Sequence, residues 1–365
     1  MGYPATRSGV ALRILKALFT PDEALLATFL THRFESADAI CRRAEQNGLS
    51  NDSCTALLDA MARKGSILKR NSRHRARYAL VPLVVGMFEF QVDHLTLEFY
   101  EDTAQYFREA YGLEYLSTAR PQMRVIPIEK SLSNTPHIAT YDEIRQIIAQ
   151  ADGKIGVAEC ICRKGKDLTG EPCQQTGRRE VCLGFRDYFD TYQREGWFRE
   201  ISAEEALAIL AQSEKEGLVL QATNEQYPQA VCACCSCCCG ILRTLKNVPN
   251  RADFVAANYR AQVDNKECVG CGICVDACPM EAISLRDKKA WVDLKRCIGC
   301  GVCVPSCKPA AIFMAEREVP AVPPKTTEDL YEAILAEKSR WGKVKTALKI
   351  LRHMKLSDIR ALLVN

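Results

Sequence analysis

One cysteine pattern occurs twice in this chain, as Cys268-Val-Gly-Cys-Gly-Ile-Cys-Val-Asp-Ala-Cys278 and as Cys297-Ile-Gly-Cys-Gly-Val-Cys-Val-Pro-Ser-Cys307. The second copy begins 29 residues after the first, and the flanks repeat in the same register, since Ala282-Ile283 matches Ala311-Ile312. Each copy has the spacing C-x2-C-x2-C-x3-C, which lets a tight loop place three thiolates around one face of an iron–sulfur cube. The duplication therefore predicts two metal clusters.

The repeat resembles the bacterial two-cluster ferredoxin domain over about 50 residues. In that arrangement the last cysteine of each run binds the cluster of the other run. The resemblance implies that the first [4Fe-4S] cluster is bound by Cys268, Cys271, Cys274 and Cys307, and the second by Cys297, Cys300, Cys303 and Cys278. One departure is that Cys307 is followed by Lys308-Pro309 rather than directly by proline. A zinc site built from C-x2-C pairs is the alternative, but zinc does not need four cysteines per run.

Length and composition indicate a globular protein with room for two or three domains: 365 residues, 47% of them hydrophobic, with a net charge of +4. This charge does not indicate nucleic acid binding. The 20 cysteines follow an N-terminal stretch that is interrupted by Arg13 and Lys16 and lacks a signal-peptide core. We therefore expect a cytoplasmic protein with reduced thiols, from an anaerobic cell. The longest apolar run, residues 79–88, is about half of a bilayer span, so no membrane span is predicted.

Residues 1–88 are predicted to form a winged-helix-like domain. Helical periodicity begins at Val10, Thr20-Pro21 starts a second helix, and Ser36 and Ser50 cap two more. A β-hairpin follows over residues 66–80. Cys41 and Cys54 occupy helical positions with apolar neighbours, and we predict that they are buried packing residues rather than ligands.

The hairpin carries basic residues that would suit DNA phosphates, namely Lys69, Arg70, Arg73, Arg75 and Arg77. The helix before it argues against DNA binding, because Asp52 and Asp59 make it a poor major-groove reader. Protein docking or a structural role is favoured for this domain.

Residues 89–262 form a cysteine-rich middle domain in which four cysteines follow a predicted strand, residues 154–158. These are Cys160, Cys162, Cys173 and Cys182, spaced C-x-C-x10-C-x8-C among several basic residues. Positive charge lowers the pKa of a thiol and offsets the negative charge of a cluster. Four thiols fit a third [4Fe-4S] cluster or a zinc ion; free or regulatory thiols are the remaining alternative.

A second group in the middle domain has six cysteines in eight positions: Cys232, Cys234, Cys235, Cys237, Cys238 and Cys239. In an extended strand, Cys232, Cys234 and Cys238 would point to one side and the others to the opposite side. In a coil, Cys235, Cys238 and Cys239 would cluster instead. One cube cannot use all six thiols, so the middle domain is predicted to bind one or two further [4Fe-4S] clusters or one larger centre.

The combination of Cys-x-Cys-Arg, this cysteine run and the ferredoxin repeat resembles multi-cluster iron–sulfur proteins of anaerobes. The predicted architecture is α+β, with the ferredoxin domain at residues 263–318 and a proline-stiffened linker and basic C-terminal helices at residues 319–365. Phosphate-loop, dinucleotide and haem motifs are absent from the sequence. We expect an electron-transfer protein whose partner is another redox protein or oxidoreductase subunit. The alternatives are a reductase with an open-coordinate cluster near residues 232–239, and a redox-sensing DNA-binding regulator.

Overall fold

The computed structural model describes residues 2–47, 51–72, 75–132, 138–194 and 196–338. Three sequence predictions lie outside these residues: the cap at Ser50, the hairpin position Arg73, and the basic helix around residues 344–355. The mixed helix and strand content confirms the α+β class.

The N-terminal region contains four helices and a small antiparallel sheet. Thr20 begins the second helix with a capping box, in which its side chain accepts from the N–H of Glu23 and the Glu23 carboxylate accepts from the N–H of Thr20. The elements are α1 Val10–Leu18, α2 Pro21–Ala27, β1 Glu35–Ser36, α3 Ala37–Glu45, α4 Asn51–Arg63, β2 Ile67–Ser72 and β3 Arg75–Leu80, with strand order β1-β3-β2. The winged-helix interpretation of these elements stays a prediction.

Cys41 in α3 and Cys54 in α4 are both buried, but they form a disulfide rather than two packed thiols. Their Cα atoms lie 5.8 Å apart, because α3 and α4 pack against each other at this level. The prediction that these two cysteines are buried and are not metal ligands is therefore confirmed, whereas the expectation of reduced thiols is wrong for this pair.

The middle region is built on a six-stranded antiparallel sheet. Its strands are β4 Met123–Ile126, β5 Ile155–Glu159, β6 Glu180–Phe185, β7 Arg199–Glu200, β8 Val219–Thr223 and β9 Ala230–Cys234, in the order β4-β8-β9-β6-β5-β7. The central strands are apolar and almost fully buried, as expected for a sheet covered on both faces. Helices of this region are α5 Leu97–Tyr106, α6 Gly112–Leu116, α7 Ile144–Ala149, α8 Ile161–Leu168, α9 Arg186–Arg194, α10 Ala203–Lys215 and α11 Gly240–Lys246.

The C-terminal third contains two short antiparallel pairs around one helical turn. These elements are β10 Tyr259–Val263, α12 Ile273–Ala277, β11 Ile283–Arg286, β12 Lys289–Val292 and β13 Ile312–Glu316, with β10 paired to β13 and β11 to β12. A last helix, α13 Thr327–Glu337, starts at the predicted cap Thr326, buries Leu330 and Ile334, and contacts the middle region where the Gln122 amide donates to the Tyr331 hydroxyl. In the described part of the chain, no helix is both long and apolar enough to cross a bilayer.

A buried ion pair in the middle region contacts the segment that leads into β10 of the C-terminal third. Arg124 on β4 and Asp142 are each 1% exposed and form a salt bridge, and the Asn258 amide donates to the same carboxylate at 2.7 Å. Beside them, the N–H of Val125 donates to the Ala256 carbonyl. This polar cluster positions β10 against the six-stranded sheet.

Replacing Asp142 with Asn should destabilise the protein by about 3–5 kcal/mol, because it leaves the Arg124 guanidinium buried without its counter-ion. The matched control is Glu129→Gln, which removes an exposed ion pair with Arg145 and should cost less than about 1 kcal/mol. Urea unfolding followed by circular dichroism measures both. Equal shifts of the two midpoints would contradict this account.

Candidate metal centres

The eight cysteines of the duplicated pattern line two separate cavities in the C-terminal third. Cys268, Cys271, Cys274 and Cys307 surround one, and Cys278, Cys297, Cys300 and Cys303 surround the other. The last cysteine of each run has crossed to the cavity of the opposite run. This is the grouping that the crossed ligand pattern predicts from the sequence.

Glycines permit the loops to turn tightly at both cavities. Gly270 and Gly299 occupy the same position in the two copies and have φ angles of 72° and 77°, in the left-handed region. A Cβ atom would lie 2.1 Å from the Lys288 carbonyl oxygen at the first position and 2.2 Å from that of Tyr259 at the second. These positions exclude any side chain.

Backbone N–H groups donate to cysteine sulfurs around both cavities. Ala290 donates to Cys268 Sγ at 3.4 Å, Ala261 to Cys297 Sγ at 3.5 Å and Ala282 to Cys278 Sγ at 3.2 Å. The Ala290 N–H lowers the pKa of the Cys268 thiol. Such donors stabilise negative charge on sulfur and thereby tune a bound cluster.

The two cavities differ in exposure. At the first, Cys271 is exposed, and the neighbouring apolar side chains Val269 and Ile273 are 69% and 44% exposed. At the second, Cys300 is buried, which raises the pKa of its thiol, and its carbonyl accepts from the N–H of Ile128 in the middle region at 3.1 Å. The first cavity thus lies at the surface and the second against the middle region.

Comparison with known proteins agrees with this geometry. Residues 260–308 match the family model described as a 4Fe-4S dicluster domain. Over 32 residues the chain is 50% identical to Ferredoxin-2 of Desulfomicrobium norvegicum, a match covering 9% of this chain and 54% of that protein. The chain therefore spans about half the length of the curated relative that it matches.

These observations define an iron–sulfur protein. The polypeptide contains a ferredoxin-type domain with two [4Fe-4S] clusters inside a larger chain.

The ten cysteines of the middle region form two groups in the structure. The first, which we name the compact group, consists of Cys173, Cys235, Cys237 and Cys238. Their sulfur atoms all lie within 4.8 Å of one another. Cys173 comes from the loop between α8 and β6, and the other three come from the turn that follows β9.

The second group, which we name the cysteine row, consists of Cys160, Cys162, Cys239, Cys234, Cys232 and Cys182. Neighbouring thiols of the row interact with one another: Cys162 interacts with Cys160 and Cys239, and Cys234 interacts with Cys239 and Cys232. Cys182 and Cys232 are paired residues on β6 and β9, with sulfurs 3.9 Å apart. The row lines a cavity of about 340 Å³, a volume within the range of small-molecule and cofactor sites.

These groups differ from those expected from sequence. Cys160, Cys162, Cys173 and Cys182 do not form one four-thiol set, because Cys173 lies in the compact group and the other three belong to the row. The run of residues 232–239 is extended only as far as Cys234, then turns, and enters α11 after Cys239. The run is therefore neither a continuous strand nor a continuous coil. The turn reverses the chain, so that Cys239 lies beside the cysteines of β9.

Arg163 lies between the two groups and is fully buried. Its guanidinium donates to the carbonyls of Ala233 at 2.9 Å and Arg178 at 3.3 Å, and its positive charge interacts with the sulfur of Cys235. Burial acts to lower the pKa of Arg163, but Cys160 and Cys235 raise it above its ordinary value. Among the described residues no carboxylate pairs with Arg163, so the thiolates are its counter-charge.

Two further polar residues of the cavity wall were not recognised in the sequence. Gln221 on β8 is buried, and its amide lies 3.6 Å from Cys239 Sγ. Glu89 lines the same cavity, and burial raises its pKa to about 8. Both stand in segments without any motif, so only the folded sheet brings them to the cysteines.

Gly217, after α10, is a contact point between the middle region and the ferredoxin-type domain. A Cβ atom there would lie 3.3 Å from the Gln175 amide nitrogen and 3.7 Å from Val302. Gln175 follows Cys173 by two residues, and Val302 stands between Cys300 and Cys303. The loop that carries Cys173 and the loop that carries Cys300 and Cys303 thus approach each other beside this glycine.

Replacing Gly270 with Ala should abolish assembly of the first cluster, because the new methyl group would overlap the Lys288 carbonyl. The control is Gly170→Ala, since Gly170 has a similar φ of 73° but nothing within 4 Å of the added atom. Both variants carry left-handed strain of about 1 kcal/mol, and only the first carries the clash. Iron analysis should show a loss of up to about four irons per chain in Gly270→Ala alone; an equal loss in both would rule out the steric explanation.

Proposed function

We propose that the protein passes electrons between a partner redox protein and a third metal centre in the middle region, through its two ferredoxin-type clusters. The observation that carries the proposal is the different exposure of the two clusters. The first cluster lies at the surface and provides the outer end of an electron path. The second cluster lies against the cysteine-rich middle region and provides the inner end.

The outer end has the character of a docking surface. The exposed apolar side chains of Val269 and Ile273 line the first cavity, and exposed Leu285 lies next to Gly272 at its edge. Apolar side chains around a surface cofactor allow a partner to exclude water and approach the cluster closely. We infer that the partner oxidoreductase or electron carrier binds here.

The inner end connects to the cysteine row through one short helix. Helix α11 starts directly after Cys239 and spans about 10 Å. At its end the buried Arg251 donates to the carbonyls of Lys246 and Met280. Met280 follows Cys278 by two residues, so this contact chain runs from the row to the second cluster.

The third centre in this proposal is a [4Fe-4S] cluster in the cavity of the cysteine row. Cys160, Cys162, Cys234 and Cys239 supply the four thiolates, and the Cys182–Cys232 pair extends the row at one end. The cavity is large enough for a cofactor, and buried Arg163 offsets negative charge beside it. Dense buried thiols without a metal would be a chemical liability.

We propose that the N-terminal region is a winged-helix domain used for protein contact or structure rather than for DNA. Two of its candidate phosphate-binding residues already have acidic partners. Lys69 bonds to Asp59 at 2.5 Å, and Arg70 bonds to Asp187 at 2.5 Å while stacking on Phe34. Binding to DNA would require these pairs to break.

Metal analysis of anaerobically purified full-length protein tests the third centre. The two ferredoxin-type clusters and one cavity cluster should give about twelve irons per chain. The double variant Cys160→Ser/Cys162→Ser should lower the value by about four. The matched control, Cys271→Ser/Cys274→Ser, should lose the first cluster instead and keep the spectrum of the cavity cluster. About eight irons in both wild type and Cys160→Ser/Cys162→Ser would disprove a cavity cluster.

Rapid-mixing spectroscopy tests the direction of the path. A prereduced small bacterial ferredoxin serves as a donor that is too large to enter the cavity. In the wild type we expect the ferredoxin-type clusters to be reduced first and the cavity cluster afterwards. In Cys271→Ser/Cys274→Ser, reduction of the cavity cluster should be slower; an unchanged rate would show that electrons reach it by another route.

A further inference from the structure

The compact group has a geometry different from that of the cysteines that bind the ferredoxin-type clusters. Cys173 Sγ lies 3.5 Å from Cys235 Sγ and 3.7 Å from Cys237 Sγ, and the sulfurs of Cys237 and Cys238 are 3.7 Å apart. All four sulfurs are within 4.8 Å of one another. This spacing restricts the kind of metal centre that the four sulfurs can bind.

Four sulfurs that bind one tetrahedral metal ion must lie at about these distances from one another. With metal–sulfur bonds of about 2.3 Å, the edges of an S4 tetrahedron are about 3.8 Å long. In a cube each thiolate binds iron at a different corner, so the width of the cube holds the four sulfurs further apart. The observed distances match the mononuclear case.

The ferredoxin-type domain supplies an internal comparison. Its eight cysteines serve two cubes, yet no three of their sulfurs come within the 4.8 Å that encloses the compact group. Across the described residues, the compact group is the one set of three or more potential ligands that is gathered so closely. The sulfurs that bind the cubes are therefore further apart than the four sulfurs of the compact group.

The backbone around the compact group also fits a small closed site. Three ligands come from a single turn, which is closed by the Cys239 N–H bonding to the Cys235 carbonyl at 3.1 Å. The fourth ligand comes from a separate loop, a common division in structural tetrathiolate sites. Cys235 and Cys238 are buried and the other two are half-buried, and the two buried cysteines also line the cavity of the cysteine row.

Charge supports the same assignment. Four thiolates and one divalent ion carry a net charge of −2, and the positive charge of buried Arg163 interacts with Cys235. The backbone N–H of Gln174 donates to Cys237 from another. These donors orient the ligands and disperse their negative charge, as outer-shell partners do in metal sites.

We propose that Cys173, Cys235, Cys237 and Cys238 bind one divalent metal ion, zinc or iron, in a closed tetrathiolate site. The ion has no open position for a substrate. It fixes the loop that carries Cys173 to the turn after β9, and thereby forms one wall beside the cysteine row. This site does not depend on the electron path proposed above.

The test compares matched double variants of the full chain, each purified anaerobically from cells supplied with both metals. Cys173→Ser/Cys237→Ser should lose about one zinc or one iron per chain, with the remaining iron unchanged. Cys271→Ser/Cys274→Ser removes two ligands of a cube and shows the loss expected for that kind of centre. A loss of about four irons from Cys173→Ser/Cys237→Ser would overturn the proposal, and so would no loss of either metal.

Two measurements on the wild type do not depend on the variants folding. If the ion is zinc, X-ray absorption at the zinc edge should show four sulfurs at about 2.3 Å without a neighbouring metal. If it is iron, the oxidised protein should give the electron paramagnetic resonance signal of a single high-spin ferric ion. Absence of zinc from the purified protein, together with absence of that signal after oxidation, would overturn the proposal.

Discussion

Thiolates that lie close together inside a protein repel one another. In this protein the positive charge of the buried Arg163 guanidinium offsets that repulsion, and the packing of the cysteine-rich interior depends on it. Cysteines of both groups interact with the Arg163 side chain, which has no carboxylate partner among the described residues. It also donates to the Ala233 carbonyl on β9 and to the Arg178 carbonyl before β6. One cation therefore offsets negative charge and ties together the strands that present the thiols.

The eight cysteines of the duplicated pattern could be located from sequence because most ligands of each cluster lie close together along the chain. Three ligands come from one short loop, and the repeat itself reveals the second loop. The glycines could also be anticipated, since loops this tight need left-handed backbone. The crossed grouping around the two cavities follows from the same spacing rule.

The middle cysteines were recognised as candidates but grouped wrongly, for a physical reason. Cys182 and Cys232 meet because β6 pairs with β9, and Cys173 meets Cys235 across 62 residues of sequence. No spacing motif records such long-range strand pairing. The Cys41–Cys54 disulfide was missed for the same reason, because helix packing rather than sequence spacing brings the two side chains together.

Gly217 links the metal sites in a way that bears on how the protein matures. It is the point at which the loop of Cys173 and the loop of Cys300 and Cys303 approach each other, through Gln175 and Val302. Metal insertion at either loop restricts the backbone of that loop. The neighbouring loop then packs against a more rigid surface, which favours metal insertion there as well. We expect cofactor loading to be cooperative, so that chains accumulate mainly as empty or complete forms and partly filled chains are the first to be lost to proteolysis.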